Sequence, residues 1–102
     1  MEVLKKINEE QMIAEVIGRI DVNTSSDLAS ELSDIPENVK CLILDFSQMS
    51  YISSAGLRVV FQLHRKMKAK NGEMILRNVN DFVYETLDSV GFVEVFTIEN
   101  NC

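Results

Sequence analysis

Two adjacent serines, Ser53 and Ser54, are the residues of this chain best suited to a chemical event. They follow an apolar run and a short polar stretch, and they precede a pattern that is typical of an amphipathic helix. The sequence therefore predicts a helix whose first turn carries both hydroxyls. A helix N-terminus exposes free backbone N–H groups and a partial positive charge, so a hydroxyl there can cap the helix and a phosphate there is tolerated.

Three kinds of chemistry are open to these serines. The simplest is capping, in which one hydroxyl accepts a backbone N–H bond and does nothing more. The second is phosphorylation, which would add roughly −1.5 to −2 charge and change the surface without unfolding the domain. The third is nucleophilic catalysis, which needs a base within hydrogen-bond reach. The one histidine, His64, lies ten residues along the same predicted helix, about 15 Å away by helical rise, and cannot serve Ser54.

Motifs for other chemistry are missing from the sequence. Ser54 does not stand in a G-x-S-x-G elbow, and there is no G-x-x-x-x-G-K-[ST] or G-x-G-x-x-G loop. One histidine with Cys41 and Cys102 cannot assemble a metal-ligand cluster, and both cysteines are predicted to be free thiols. We therefore predict no enzyme activity, no metal and no cofactor.

Two aspartates, Asp21 and Asp45, each precede a turn at the end of a predicted strand. Loop capping is the expected role of both. If their strands were neighbours, both strand ends would lie on one rim of the sheet, and the two carboxylates would be near Ser54.

Leu57 and Phe61 lie one step around the helix from its predicted core stripe, which consists of Gly56, Val59, Val60, Leu63 and Met67. They either line the edge of the core or form a partly exposed apolar ridge beside Ser54, flanked by Arg58 and Arg65. Apolar anchors with arginine at the edge are typical of a protein-binding face.

Composition limits the classes of function that remain. The chain has 102 residues, a hydrophobic content of 46% and a net charge of −6, which fit one domain with a real core and argue against a general nucleic-acid role. It has no apolar stretch of signal-peptide or membrane-span length. We therefore expect a cytoplasmic protein that binds neither nucleic acid nor membrane.

Hydrophobic periodicity predicts the elements that position these residues. Strands are expected over 3–7, 11–16 (ending before Gly18), 40–46, 73–77 and 95–98, and helices over 25–33, 54–70 and between Asn80 and Gly91. This order predicts a small α/β domain with a mixed five-strand sheet. The first two strands would form an antiparallel hairpin, the remainder would be mostly parallel, and the helices would lie mainly on one face.

Several segments together resemble the STAS domain family, and within it the bacterial anti-sigma factor antagonists. The stretch DFSQMSYISSAGLRVVFQLHRKMKAKNGEMILRNV is similar to the family signature, and NDFVYETLDSVGFVEVFTI to its last helix and strand. GRIDVNTSSDL is similar to the family's opening segment through Gly18, Asp21 and Thr24. The resemblance covers nearly the whole chain and implies one STAS domain over residues 1–102.

Such proteins bind an anti-sigma factor that is also a serine kinase of the GHKL type, and so free a sigma factor. The kinase phosphorylates one serine, and a PP2C-type phosphatase restores binding. The resemblance places the phosphate acceptor on Ser54, with Ser53 as the alternative because many members carry aspartate there. The resemblance also implies a partner surface at Asp21, Thr24, Gly56, Leu57 and Arg58. We add Ser53 and Phe61 to this predicted surface because they lie beside Ser54 and on the same helix.

Two rival functions stay open on sequence alone. One is a STAS subunit of a different assembly, such as a lipid-transport complex or a stressosome scaffold, which would use the same fold with other partners. The other is a hydrolase that uses Ser53 or Ser54 as its nucleophile.

Overall fold

The computed structural model describes residues 1–99, so Cys102 and its predicted free thiol lie outside the described residues. Six strands and three helices follow one another along this part of the chain. In order they are β1 (Glu2–Asn8), β2 (Gln11–Ile20), α1 (Ser25–Glu31), β3 (Cys41–Asp45), β4 (Met49–Ile52), α2 (Ser54–Ala69), β5 (Glu73–Arg77), α3 (Asp81–Ser89) and β6 (Thr97–Glu99).

The strands form one mixed sheet with the order β1-β2-β3-β5-β6 and with β4 paired to β2 outside this path. β1 and β2 are an antiparallel hairpin, and every other pairing is parallel. The predicted α/β class, hairpin and parallel remainder are therefore confirmed. The predicted number of five strands is wrong, because β4 is a sixth strand within residues 1–99.

The additional strand forms because β2 does not stop at Gly18. The chain passes this glycine with a φ of +100°, and the pairing register shifts between Gly18 and Arg19. Glycine accepts such an angle without the steric cost of a Cβ, and one irregular residue lets a strand bend and continue. Residues 11–15 of β2 pair with β3, and residues 18–20 pair with β4.

The helices cover one face of the sheet, as predicted. Alternate strand residues join apolar residues of all three helices in one core, which includes Met12, Ala14, Leu42, Leu44, Met74, Leu76, Leu28, Val60, Met67, Val83 and Leu87. The predicted stripe of α2 is buried in this core along its whole length. The core therefore fixes the rotation of α2 and turns the basic side of the helix outward.

Local signals set the ends of the helices. Asn71 has a φ of +60°, and α2 ends just before it at Ala69. The Asn80 side chain accepts the Val83 N–H at 2.8 Å and caps α3. Gly91 follows α3 with a φ of +79°, as expected of a residue that ends a helix. Val90, predicted within the last helix, instead lies just beyond it and is exposed.

Candidate functional site

The two serines occupy different positions at the start of α2. Ser53 precedes the helix with extended backbone, and its hydroxyl oxygen accepts the Gly56 N–H at 3.2 Å. Ser54 is the first helical residue; its side chain is exposed, and its hydroxyl makes no hydrogen bond to any of residues 1–99. Ser53 therefore serves as the cap, and the Ser54 hydroxyl is exposed to solvent.

His64 lies away from both serines, further along α2. Its ring packs against Phe61 and Phe96, with ring centroids 6.2 and 5.4 Å apart. Burial lowers the pKa of His64, and the positive charge of Lys68 lowers it further. The imidazole is therefore part of an aromatic cluster and cannot act as a base for Ser54.

Asp21 and Thr24 close the loop that follows β2. The Asp21 Oδ1 atom accepts the N–H groups of Asn23 and Thr24 at 2.9 and 3.0 Å, and Thr24 Oγ1 accepts the Asp21 N–H at 2.9 Å. The Thr24 hydroxyl proton has two acceptors within reach, the Arg19 carbonyl oxygen at 2.9 Å and Asp21 Oδ1 at 3.1 Å. The reciprocal bonds give the loop a defined shape.

These bonds also hold Asp21 in its charged form. Its pKa is lowered, first by the hydrogen bond from the Thr24 N–H and then by the Thr24 hydroxyl, the Asn23 N–H and the charge of Arg19, while partial desolvation acts in the opposite direction. The Ile20 carbonyl, one residue earlier, accepts the Ser53 N–H at 2.8 Å. A charged loop therefore stands next to the start of α2.

Asp45 does not join this site. It is in register with Glu15, well before the end of β2, and its Oδ1 atom accepts the Ser47 N–H at 2.9 Å. The expectation that both aspartates lie near Ser54 is right for Asp21 and wrong for Asp45. The reason is that β2 continues past the end of β3 to pair with β4.

Gly56 allows the first turn of α2 to approach the sheet closely. A Cβ atom at this position would lie 2.6 Å from Ile20 Cγ2 and 2.8 Å from Ile52 Cγ1, both far inside van der Waals contact. Gly56 is buried. It was predicted among the partner-binding residues, and its place beneath the surface gives it a supporting role.

Leu57 belongs to the core and not to an exposed ridge. It is 3% exposed, so of the two alternatives left open by the sequence the core position holds for Leu57 and the exposed ridge does not. Phe61, one turn later, is half-buried and stacks on Phe92, with ring centroids 5.5 Å apart and an angle of 11° between the rings. The segment after α3 therefore covers this side of α2, which widens the buried stripe.

A shallow groove of about 230 Å³ nevertheless runs beside Ser54, lined by Ser54, Leu57, Arg58, Phe61, Val90 and Phe92. The first four were singled out from the sequence. Val90 and Phe92 were missed as site residues, because they are distant in sequence and reach the groove only through the fold. The groove is apolar apart from the Ser54 hydroxyl and the Arg58 guanidinium.

The described residues offer little for other kinds of site. Residues 1–99 contain no group of three or more His, Cys, Asp or Glu side chains that could hold a metal ion. No helix within the same residues has the length and apolar character needed to cross a bilayer. Cys41 is a free, half-buried thiol whose pKa is raised by burial and by the nearby Glu73.

Comparisons with known proteins fit this architecture. The STAS domain family model matches residues 2–102. The Bordetella bronchiseptica protein BtrV, named as a candidate anti-sigma factor antagonist, is 30% identical over 91 residues, which are 88% of this chain and 78% of BtrV. The crystal structure of a candidate anti-sigma factor antagonist from Thermotoga maritima has a TM-score of 0.88 at 17% identity, over 97% of this chain and 86% of that chain.

The anti-sigma factor antagonist SpoIIAA of Bacillus has the same fold in both of its phosphorylation states. Its unphosphorylated form has a TM-score of 0.76 at 18% identity, over 99% of this chain and 89% of that chain. Its phosphorylated form has a TM-score of 0.78 at 17% identity, over 99% of this chain and 92% of that chain. The family model, the BtrV match and the shared fold together show that this chain belongs to the STAS domain family, in which its relatives include anti-sigma factor antagonists.

Proposed function

We propose that this protein is an anti-sigma factor antagonist, a binding module without enzyme activity of its own that is switched by phosphorylation of Ser54. One observation carries the choice of residue. The Ser53 hydroxyl is occupied by the Gly56 N–H, whereas the Ser54 hydroxyl is exposed and makes no hydrogen bond within residues 1–99. Family membership and the names of the relatives support the class of partner.

In this proposal the unphosphorylated chain binds an anti-sigma factor that is a GHKL-type serine kinase, and a sigma factor is released in the cytoplasm. Phosphorylation places a dianion on the first turn of α2, where free backbone N–H groups and the helix dipole tolerate it. The fold stays the same while the surface changes from a small neutral hydroxyl to a bulky charged group. A PP2C-type phosphatase would then restore the binding surface.

The proposed partner surface has two parts that backbone bonds hold together. One is the loop of Asp21 and Thr24, whose tip residue Val22 is 74% exposed. The other is the outer side of the first turns of α2, where Ser54 and Arg58 are exposed. Val22 was missed in the sequence, because a single valine in a polar loop carries no distinctive pattern. An exposed apolar tip beside a charged rim is a common feature of protein interfaces.

The test is phosphorylation by a purified GHKL-type serine kinase of the same organism, with mass spectrometry to locate the phosphate. Ser54→Ala should bind the kinase but remain unmodified, and Ser53→Ala, the matched control, should still be modified. Ser54→Asp should bind weakly in titration calorimetry while its circular dichroism spectrum stays that of the parent. Phosphate on Ser53 or Thr24 in place of Ser54 would contradict the assignment. Co-purification with transport subunits in place of such a kinase would favour the rival STAS assembly.

A further inference from the structure

We propose that the groove beside Ser54 receives an acidic, amphipathic segment of the protein partner. One apolar side chain of that segment would enter between Val90 and the Phe61–Phe92 stack, and carboxylates on either side of it would pair with Arg58 and Arg65. This inference rests on the proposed function and names the chemistry that the partner must present.

The groove is preformed and apolar. Phe61 and Phe92 stack nearly parallel, and Phe96 packs against Phe92 with ring centroids 5.1 Å apart, so the floor is rigid aromatic surface. Val90 forms part of the wall and is 52% exposed. The volume of about 230 Å³ is enough for one large side chain. An apolar side chain placed there would remove this surface from water, which is the usual source of affinity at the centre of an interface.

Charge indicates which kind of apolar segment fits. The whole chain has a net charge of −6, yet the sequence of α2 contains four cationic side chains and no acidic one. Within residues 1–99 the ion pairs are Lys5–Glu31 and Arg77–Glu99, and neither involves α2. The cations of α2 therefore form no ion pair within residues 1–99, and they are available to pair with an acidic partner.

Two of these cations are placed to act at the groove. Arg58 lines it directly, and Arg65 lies one turn beyond Phe61 on the same helix. Both are exposed, and neither makes a hydrogen bond or an ion pair within residues 1–99. Lys66, by contrast, donates to the Ser33 carbonyl oxygen at 3.0 Å and faces α1. The arginines also suit carboxylates well, because a guanidinium can bind a carboxylate through two parallel bonds.

The same arrangement gives the switch a simple electrostatic basis. Ser54 lines the groove four residues before Arg58, which is one helical turn. A phosphate on Ser54 would compete for Arg58 and repel the carboxylates of an incoming acidic segment. A partner with a neutral or basic segment would not be excluded in this way.

The inference can be tested by NMR on the full chain with methyl labelling and two blocked peptides of twelve residues. The peptides share the same leucines and differ only in carrying glutamate or lysine beside them. We expect the glutamate peptide to shift the methyl signals of Leu57 and Val90 and to bind more weakly as salt is added. The lysine peptide should bind about tenfold more weakly, because attraction at two exposed arginines is replaced by repulsion.

Variants with matched controls locate the binding. Val90→Ser and Arg58→Gln should weaken the glutamate peptide, while Val95→Ser and Lys68→Gln, an exposed apolar residue and an α2 cation that do not line the groove, should not. Ser54→Asp should weaken the glutamate peptide more than the lysine peptide. Equal affinity for both peptides, or shifts confined to other surfaces, would overturn the inference. Methyl shifts that depend on protein concentration without peptide would also overturn it, because a second copy would then be the occupant.

The peptide measurement uses no kinase, so its result is independent of the proposed phosphorylation. If Ser54 is phosphorylated normally but the groove ignores the acidic peptide, only the present inference fails. If the groove binds the peptide but the kinase modifies a different serine, only the assignment of Ser54 fails.

Discussion

The backbone N–H of Ser53 donates to the carbonyl oxygen of Ile20 at 2.8 Å. This bond joins the end of β2 to the residue that caps α2. It therefore holds the loop of Asp21 and Thr24 next to the first turn of α2. Both groups of the bond belong to the backbone, so the arrangement does not depend on the side chains that a partner would contact.

The first prediction separates the two serines by stability. Ser53→Ala removes the acceptor of the Gly56 N–H and should lower the free energy of unfolding by about 1 kcal/mol, the usual cost of losing an N-cap. Ser54→Ala is the neighbouring control and should change it by less than about 0.5 kcal/mol, because its hydroxyl makes no bond within residues 1–99. Urea unfolding followed by circular dichroism measures both. Equal losses would show that the cap is misassigned.

The second prediction concerns the close approach of α2 to the sheet. Gly56→Ala would place a methyl group 2.6 Å from Ile20 Cγ2 and 2.8 Å from Ile52 Cγ1. These contacts are on branched side chains near the backbone, so relief requires the helix to move. We expect a loss of about 1–3 kcal/mol, as for other overpacked cores, measured by thermal or urea unfolding. The exposed helical position Gln62→Ala is the control, and a variant as stable as the parent would show that the helix can shift freely.

The third prediction follows from the burial of Leu57. Leu57→Ala should lower the free energy of unfolding by about 2–5 kcal/mol, because it leaves a cavity in the core. Arg58→Ala, the next residue and exposed, should change it by less than about 0.5 kcal/mol. Urea titration of both variants measures these two changes in the free energy of unfolding. If Leu57→Ala unfolds at the same urea concentration as the parent, then Leu57 is not packed as described.

The fourth prediction uses the lowered pKa of His64. A histidine with a lower pKa in the folded state binds protons more readily when the chain is unfolded. Its contribution to stability is therefore complete above the unfolded pKa of about 6.5 and declines as the pH falls through that value. The melting temperature should drop between pH 8 and pH 5.5, and the drop should be smaller in His64→Gln. An identical pH profile for parent and variant would exclude His64 as the source.

Helix α2 shows what the sequence could establish. Its core stripe and its end near residue 70 were predicted, since they depend on spacing and capping within one segment. The sequence predicted that a serine would cap the helix, and the structure shows that Ser53 is that serine. Strand β5 was predicted from end to end for a similar reason, because its short apolar run is bounded by the charged residues Glu73 and Arg77. Elements determined by nearby residues were therefore predicted correctly.

The errors share a different cause, which is contact between distant parts of the chain. The sequence left open whether Leu57 lies in the core or on an exposed ridge, because the segment with Phe92 that covers this side of α2 lies more than thirty residues later in the sequence. Strand β4 was missed because four residues form a strand only when the continuation of β2 supplies its partner. Neither the register shift next to Gly18 nor the pairing on either side of it can be read from hydrophobic periodicity.

The pairing of β2 with both β3 and β4 has a consequence for how such domains can diverge. The end of β2 and the start of α2 are fixed by main-chain bonds, including the Gly18 N–H to the Gln48 carbonyl oxygen at 2.9 Å. Exposed positions around this frame, such as Val22, Arg58 and Val90, can then be exchanged at little cost to folding. A cell that keeps several duplicated copies of such a domain could give each copy its own partner by changing these few side chains. The same property makes the chain a practical starting point for engineering pairs of signalling proteins that bind each other and no other partner.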